Sequence, residues 1–139
     1  MATRELSSSV KVVHGLDLIQ ITTNVNSDGT AVDTQGFNSV TAMIHCATSG
    51  AYTNGTYTIS VLEGDTSGGS FDVTDSSQLV IQDGTDAIEA DNENAWCGYV
   101  GIKRWVKIRI ASTGSSGAGA FLGGNILLGH PHNAPVTAN

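Results

Sequence analysis

Apolar and polar residues alternate with a period of two along most of the chain, which is the pattern of half-buried β-strands. The clearest example spans residues 39–47, where Val40, Ala42, Ile44 and Cys46 share one face and the residues between them share the other. The same reasoning predicts about eight strands, at 11–21, 39–47, 56–63, 70–73, 78–82, two segments within 96–110, and 120–128.

Turn-forming residues separate these strands. Residues 24–38 are rich in Asn, Asp and Gly, and Asn54-Gly55 is a signal for a tight hairpin turn. Gly15 interrupts the first strand, where we expect a β-bulge. The acidic stretch 83–95 is predicted to be a loop that could hold a short helical turn.

These elements predict an all-β fold, an antiparallel β-sandwich of the jelly-roll or Ig-like kind. Strands do not alternate with helical segments, which argues against a βαβ fold. A length of 139 residues suits one domain. We expect an N-terminal arm at 1–9, the sandwich at 10–128, and an extended C-terminal tail at 129–139 that holds both prolines.

The densest strand signal runs from Trp96 to Ile110. Gly98 and Gly101 interrupt it, so we expect two strand segments joined by a bend. In the second segment one face consists of Arg104, Val106, Ile108 and Ile110, and the three apolar residues of this face are predicted to supply the core.

The opposite face of that segment is basic and aromatic. Four of the six Lys and Arg residues fall within 103–109, in a chain whose net charge is −7. In an acidic chain, a single basic strand is suited to pairing with acidic loops, either of the same chain or of another chain. We therefore predict that four residues contact a partner: Lys103, Trp105, Lys107 and Arg109.

The overall charge excludes some partners. An acidic surface repels the phosphates of nucleic acids and of anionic membranes, so we expect neither as a partner. Residues 1–10 contain no apolar segment typical of a secretory signal. Cys46 and Cys97 are accordingly predicted to be reduced thiols in the core rather than a disulfide.

Candidate catalytic patterns fail on their spacing. The segment GDTSGG at 64–69 is similar to the nucleophile loop of chymotrypsin-like proteases, but Thr66 breaks the spacing that the oxyanion hole requires, which leaves a turn. Residues 83–93 cluster five carboxylates without the spacing of a calcium loop. We therefore predict that the chain is not an enzyme and needs no cofactor.

His130 and His132 flank Pro131 in the tail. In an extended segment, side chains two residues apart point the same way, so both imidazoles could approach one metal ion. Two ligands do not complete a site, and we predict instead that both histidines belong to a partner-contacting tail.

The segment GYVGIKRWVKIRI at 98–110 resembles a recurring segment in small structural proteins of tailed phages. In those proteins a Thr-Gly loop, a strand of small residues and a proline-containing tail follow, and here Thr113-Gly114, 118–128 and 130–135 correspond to them. The segment at 56–73 is also similar, and the resemblance covers about half of the chain. Trp105 stands where tyrosine is common in such proteins.

The resemblance implies a capsid decoration, or cement, protein of a tailed bacteriophage. Such proteins are β-sandwiches that sit on the outer capsid surface, as trimers more often than dimers, and bridge neighbouring major capsid subunits. For this chain it implies synthesis in the host cytoplasm, location on the virion, the major capsid protein as partner, and a homotrimer in preference to a dimer.

Two alternatives remain open. A tail or neck protein of the same particle would have a similar composition. A carbohydrate-binding or adhesin-like module would need at least two aromatic side chains exposed on one face, drawn from Tyr52, Tyr57, Trp96, Tyr99 and Trp105.

Overall fold

The structure, a computed structural model, describes residues 6–22, 24–48, 55–81, 87–88, 92–114 and 120–133. Within these ranges the chain forms eleven strands and a single turn of 3₁₀-helix at Ser76–Gln78. The strands are β1 (Val10–Ile21), β2 (Asn26–Asp28), β3 (Val32–Asp33), β4 (Phe37–Thr48), β5 (Gly55–Gly64), β6 (Asp72–Val73), β7 (Leu79–Ile81), β8 (Ala87–Ile88), β9 (Asn94–Tyr99), β10 (Trp105–Gly114) and β11 (Ala120–Pro131).

The strands form two antiparallel sheets that pack as a β-sandwich, which confirms the predicted fold class. Sheet A has the order β1-β11-β4-β9-β7. Sheet B has the order β2-β10-β5-β6, with β3 also pairing with β10 and β8 with β5. No helix in the part of the chain that the structure describes has the length and apolar character to cross a bilayer.

The core lies between the sheets and follows the predicted alternation. Val40, Ala42, Ile44 and Cys46 are all buried on the inner side of β4. Cys97 is buried on neighbouring β9, and both cysteines are reduced thiols as predicted. Burial of such side chains supplies the main driving force for folding, about 25 cal/mol for each Å² of apolar surface removed from water.

The segment 96–110 bends as predicted and connects the two sheets. Strand β9 belongs to sheet A and ends at Tyr99, whereas β10 belongs to sheet B and begins at Trp105. Val106, Ile108 and Ile110 are fully buried on the inner side of β10. These three residues supply the core, as the pattern predicts.

Arg104 departs from this prediction. It was expected on the core face of the strand, but it precedes β10 and is exposed. The period-two pattern continues through 103–104 although the backbone there belongs to the connection between the sheets. The charge on Arg104 stays in water, which avoids the large cost of burying an unpaired guanidinium.

Gly15 lies at a β-bulge, as predicted, because the register of β1 on β11 shifts between His14 and Leu16. The segment between β2 and β3, two strands of sheet B, also hydrogen-bonds to sheet A at this point. Its Gly29 amide donates to the Ile108 carbonyl on β10, at 2.8 Å, and its Thr30 amide donates to the Gly15 carbonyl on β1, also at 2.8 Å.

Three short strands were not predicted. Strands β2 and β3 lie in the turn-rich stretch 24–38, and both pair with β10. Ala87 and Ile88 form a strand on β5, within the stretch predicted to be a loop that could hold a short helical turn. The neighbouring residues 82–86 and 89–91 lie outside the described part of the chain.

The ends of the sandwich differ from the predicted boundaries in detail. Strand β11 runs through residue 128 to Pro131, and Gly129 pairs with both Val10 and Ser39. On the N-terminal side, residues 6–9 form a turn in which the Ser9 amide donates to the Leu6 carbonyl. Residues 1–5 of the predicted arm and 134–139 of the predicted tail lie outside the described residues.

Candidate functional site

The structure divides the predicted contact residues between two regions. Trp105, Lys107 and Arg109 lie on the outer face of sheet B, where each is partly buried. Lys103 lies in the connection between the sheets, and His130 and His132 lie at the end of β11 and just beyond it. Lys103 and His132 both line the open space described next, at one end of the sandwich.

An open cleft of about 550 Å³ lies at this end, between the segment 34–38 and the connection 100–104. Both Lys103 and His132 line it. Hydrogen bonds join these two segments, because the Thr34 amide and hydroxyl both donate to the Arg104 carbonyl. The His132 amide donates to the Gly36 carbonyl, so the chain beyond β11 is fixed to the same segment. We call this region the end cleft.

The rim of the end cleft exposes two large apolar side chains. Ile102 is 92% exposed and Val100 is 60% exposed. Sequence reasoning missed both, because their apolar character was assigned to strand segments. The available signal is their position on either side of Gly101, which lies in the bend, whereas Gly98 lies within β9.

Hydrogen bonds hold this exposed connection in place. The Val100 amide donates to the Gln78 carbonyl at 2.9 Å. The Lys103 amide donates to the Tyr99 hydroxyl, which in turn donates to a Glu63 carboxylate oxygen at 2.7 Å. A side chain at Gly101 would overlap the Tyr99 ring, so the close approach of the backbone to that ring requires glycine.

Because of Tyr99, the free energy of unfolding should decrease at alkaline pH. Burial, followed by the hydrogen bond to Glu63, raises the pKa of the Tyr99 hydroxyl well above its usual value near 10. A raised folded pKa means that the stabilisation is complete below about pH 10 and is lost as the pH rises further.

The expected loss from this single group is at most about 1.4 kcal/mol for each pH unit above 10. Tyr99→Phe should cost about 1 kcal/mol near neutral pH and should flatten the alkaline decline. Urea unfolding across the alkaline range checks both effects. A variant whose stability falls in parallel with that of the wild type would contradict this role for Tyr99.

The basic residues near β10 have acidic or aromatic neighbours within the same chain. Bidentate contacts join Lys103 to Asp65, Arg104 to Asp33, and Arg109 to Asp28. The Arg109 and Arg104 guanidinium groups lower the pKa values of the Asp28 and Asp33 carboxyls. Of the two forms of pairing that the sequence left open, the structure shows the one within the chain.

Two of these cations also lie over aromatic rings. The Lys107 ammonium is 4.1 Å from the centre of the Phe71 ring, and the Arg104 guanidinium is 5.4 Å from that of Trp105. Such contacts contribute about 0.5–1 kcal/mol at exposed sites. They also cover one face of each ring on the outside of sheet B.

The two tail histidines have separate partners. His130 Nδ1 lies 2.9 Å from the Ser39 hydroxyl, and His132 Nε2 lies 2.8 Å from the Asn38 side-chain oxygen. His130 has a φ of 51°, so the extended geometry that would align the two imidazoles is interrupted. Across the described ranges, no group of three or more His, Cys, Asp or Glu residues is placed to hold a metal ion.

The two tryptophans lie on opposite sides of the sandwich. Trp96 faces outward from β9 in sheet A, and Trp105 faces outward from β10 in sheet B. Tyr57 and Tyr99 are buried, and Tyr52 lies outside the described residues. The two tryptophans therefore do not form a common platform on which a sugar could stack.

The protease-like segment at 64–69 is a turn, as predicted. It leads from β5 into β6, and the Gly69 amide donates to the Thr66 carbonyl. Of the five clustered carboxylates, only Glu93 lies within the described residues.

No protein-family model matches the chain, and no curated protein matches it. Among solved structures, the chain is similar to the CBM22-1 and GH10 modules of the Clostridium thermocellum N-terminal endo-1,4-β-D-xylanase 10B, complexed with xylohexaose. The identity is 12% and the TM-score is 0.44. The match covers 91% of this chain and 30% of the xylanase chain, so this chain spans less than a third of that protein's length.

Proposed function

We propose that this chain is a structural protein that decorates the outer surface of a tailed-phage head and docks there on the major capsid protein. The docking site is assigned from a single observation, the exposure of Ile102 and Val100 on a hydrogen-bonded rim of the end cleft. The identity of the partner rests on the resemblance of residues 98–110 to small structural proteins of tailed phages.

The rim has the composition of a protein contact. Burying a side chain such as isoleucine or valine against a partner is worth about 1.5–3 kcal/mol. The salt bridges of Lys103 with Asp65 and of Arg104 with Asp33 lie beside it and supply a polar border. An apolar centre with a polar border is the usual anatomy of a protein interface.

Repetition on a capsid would strengthen a contact of this size. A small site gives modest affinity alone, but several copies held together bind neighbouring capsid subunits at a high effective concentration. The proposal assigns Lys103 and His132 to the docking site, with Trp105, Lys107, Arg109 and His130 on adjoining surfaces. It places the chain on the virion and assigns it no catalytic residue, cofactor, nucleic acid or membrane.

Ile102→Asp should abolish detectable binding to capsids that lack the decoration protein. The substitution places a charge at the centre of the proposed contact and removes its most exposed apolar side chain, so affinity should fall at least a hundredfold. Cosedimentation of purified chain with such capsids measures the bound fraction.

Val73→Asp is the matched control, because Val73 is also a β-branched residue, is 60% exposed, and does not line the end cleft. This variant should bind like the wild type. Equal loss in both variants, or wild-type protein that stays in the supernatant, would contradict the proposal. Binding to a glycan array but not to capsids would instead support the carbohydrate-binding alternative.

A further inference from the structure

Charge is distributed very unevenly between the two sheets. Strands β4, β7, β9 and β11 of sheet A contain no Asp, Glu, Lys or Arg. Only edge strand β1 adds charged residues to this sheet, namely Lys11 and Asp17. The contacts of Lys103, Arg104 and Arg109 with aspartates all lie on sheet B or in the loops beside it. The chain nevertheless has 19 charged residues in all, 6 basic and 13 acidic.

Apolar and neutral polar side chains share the outer face of sheet A, meaning the side turned away from sheet B. One row of paired residues crosses all five strands, and it consists of Val12, Leu127, Thr41, Gly98 and Val80. A second row crosses four strands, and it consists of His14, Asn125, Met43 and Trp96. Val12 is 63% exposed and Met43 is 39% exposed.

A groove of about 420 Å³ lies on the same face, beside these two rows. Gly123 leaves it open because it lacks a side chain on this face, while Val12, Met43 and Leu127 form its walls. A methionine side chain is long and adaptable, which suits it to filling an irregular apolar groove. The face thus presents both a projecting apolar side chain and a recess that such a side chain can enter.

The face is large enough for a stable contact. Strands β1, β4 and β11 each have 12 residues, while β9 has 6 and β7 has 3. At about 3.3 Å per residue and about 4.8 Å between strands, the outline covers on the order of 700 Å². A standard protein interface buries about 800 Å² on each partner, and the corrugation of side chains adds to the flat outline.

We infer that the outer face of sheet A packs against the same face of a second copy of this chain. A strongly acidic chain repels its own copies wherever its charge is displayed, so a face whose charged residues are confined to edge strand β1 is the surface through which two copies can approach. An oppositely charged partner would gain little from this face, because its carboxylate, that of Asp17 beside His14, lies at the β1 edge. A face with both a projection and a recess is self-complementary, which is the requirement of a two-fold contact.

This inference stands apart from the end cleft and predicts a two-fold pair, whereas the phage resemblance implies a trimer. Met43→Glu would place a carboxylate from each copy into the shared apolar contact. The dimer should weaken at least a hundredfold, because charges of the same sign in an apolar interface are costly. Light scattering after size exclusion, at neutral pH and micromolar concentration, should show a wild-type dimer and a Met43→Glu monomer.

Val12→Glu and Val73→Glu provide a matched pair, with the same residue type and nearly equal exposure on different sheets. Val12→Glu should shift the protein toward monomer, and Val73→Glu should remain dimeric. An equal mixture of Met43→Glu and Met43→Lys should recover the dimer, since opposite charges then meet. Circular dichroism and thermal unfolding establish that each variant is folded.

A wild-type monomer or trimer would overturn the inference, as would a dimer that Met43→Glu leaves intact or a mixture that stays monomeric. These results are separable from the docking proposal. A Met43→Glu monomer should still cosediment with capsids, more weakly for loss of multivalency, whereas Ile102→Asp should lose that binding and remain dimeric.

Discussion

Gly29→Ala is expected to lower the free energy of unfolding by about 3 kcal/mol, the upper end of the range for overpacking a tight site. A Cβ atom at residue 29 would overlap the Gly15 carbonyl oxygen, which is backbone and cannot rotate away. The residues that would have to move also hold the sheets together, through the bonds from Gly29 to Ile108 and from Thr30 to Gly15. Relief of the overlap would weaken those bonds, adding to the cost.

Gly68→Ala is the appropriate control. A Cβ atom at Gly68 would meet no other heavy atom within 4 Å, so stability should change by less than about 0.5 kcal/mol. Urea unfolding of the two variants measures the difference. Similar stability in both would mean that the segment between β2 and β3 can shift without cost, and that it does not fasten the sheets together.

The main strands could be predicted because burial on one side leaves a strict alternation in the sequence. Strand β4 shows this clearly, with Val40, Ala42, Ile44 and Cys46 all buried. Strands β2, β3 and β8 could not, because each has only two or three residues. Stretches so short carry no period, and their extended form depends on pairing with β10 and β5, which are distant in sequence.

The candidate site was only partly predictable for a related reason. The basic residues were visible in the sequence, but their partners Asp28, Asp33 and Asp65 lie 38 to 81 residues away. Only the fold brings them together. The exposure of Ile102 depends on the backbone leaving sheet A at Tyr99 and joining sheet B at Trp105, a crossing that hydrophobic periodicity alone does not reveal.

The confinement of charge in sheet A to β1, by contrast, follows from the sequence once strands are assigned to sheets. Strand β10 carries Lys107 and Arg109, whereas β11 and β4 carry no charged residue. Periodicity identifies which residues of a strand face inward, but it does not say which strands are neighbours. The topology supplies that information, and it turns scattered uncharged strands into one continuous face.

Ile108→Ala is expected to lower the free energy of unfolding by about 4 kcal/mol. Ile108 is fully buried in the centre of the sandwich, and truncation would leave a cavity that the flanking strands cannot close. The Ile108 side chain occupies space that two glycines on the opposite sheet leave free. A Cβ atom at Gly15 would lie 2.7 Å from the Ile108 Cδ1, and one at Gly124 would lie 3.0 Å from it.

This geometry predicts strong coupling between residues 15 and 108. Gly15→Ala alone should cost about 2 kcal/mol through overpacking against Ile108. In the Ile108→Ala background the added methyl group enters vacated space, so the same change should cost little, with a coupling energy of about 2 kcal/mol. Ile88→Ala is the control background, because Ile88 is equally buried but lies on β8 on the other side of β5. There the two effects should add. If Gly15→Ala costs as much in the Ile108→Ala background as in the wild type, Ile108 does not depend on the space that the glycines at 15 and 124 leave free.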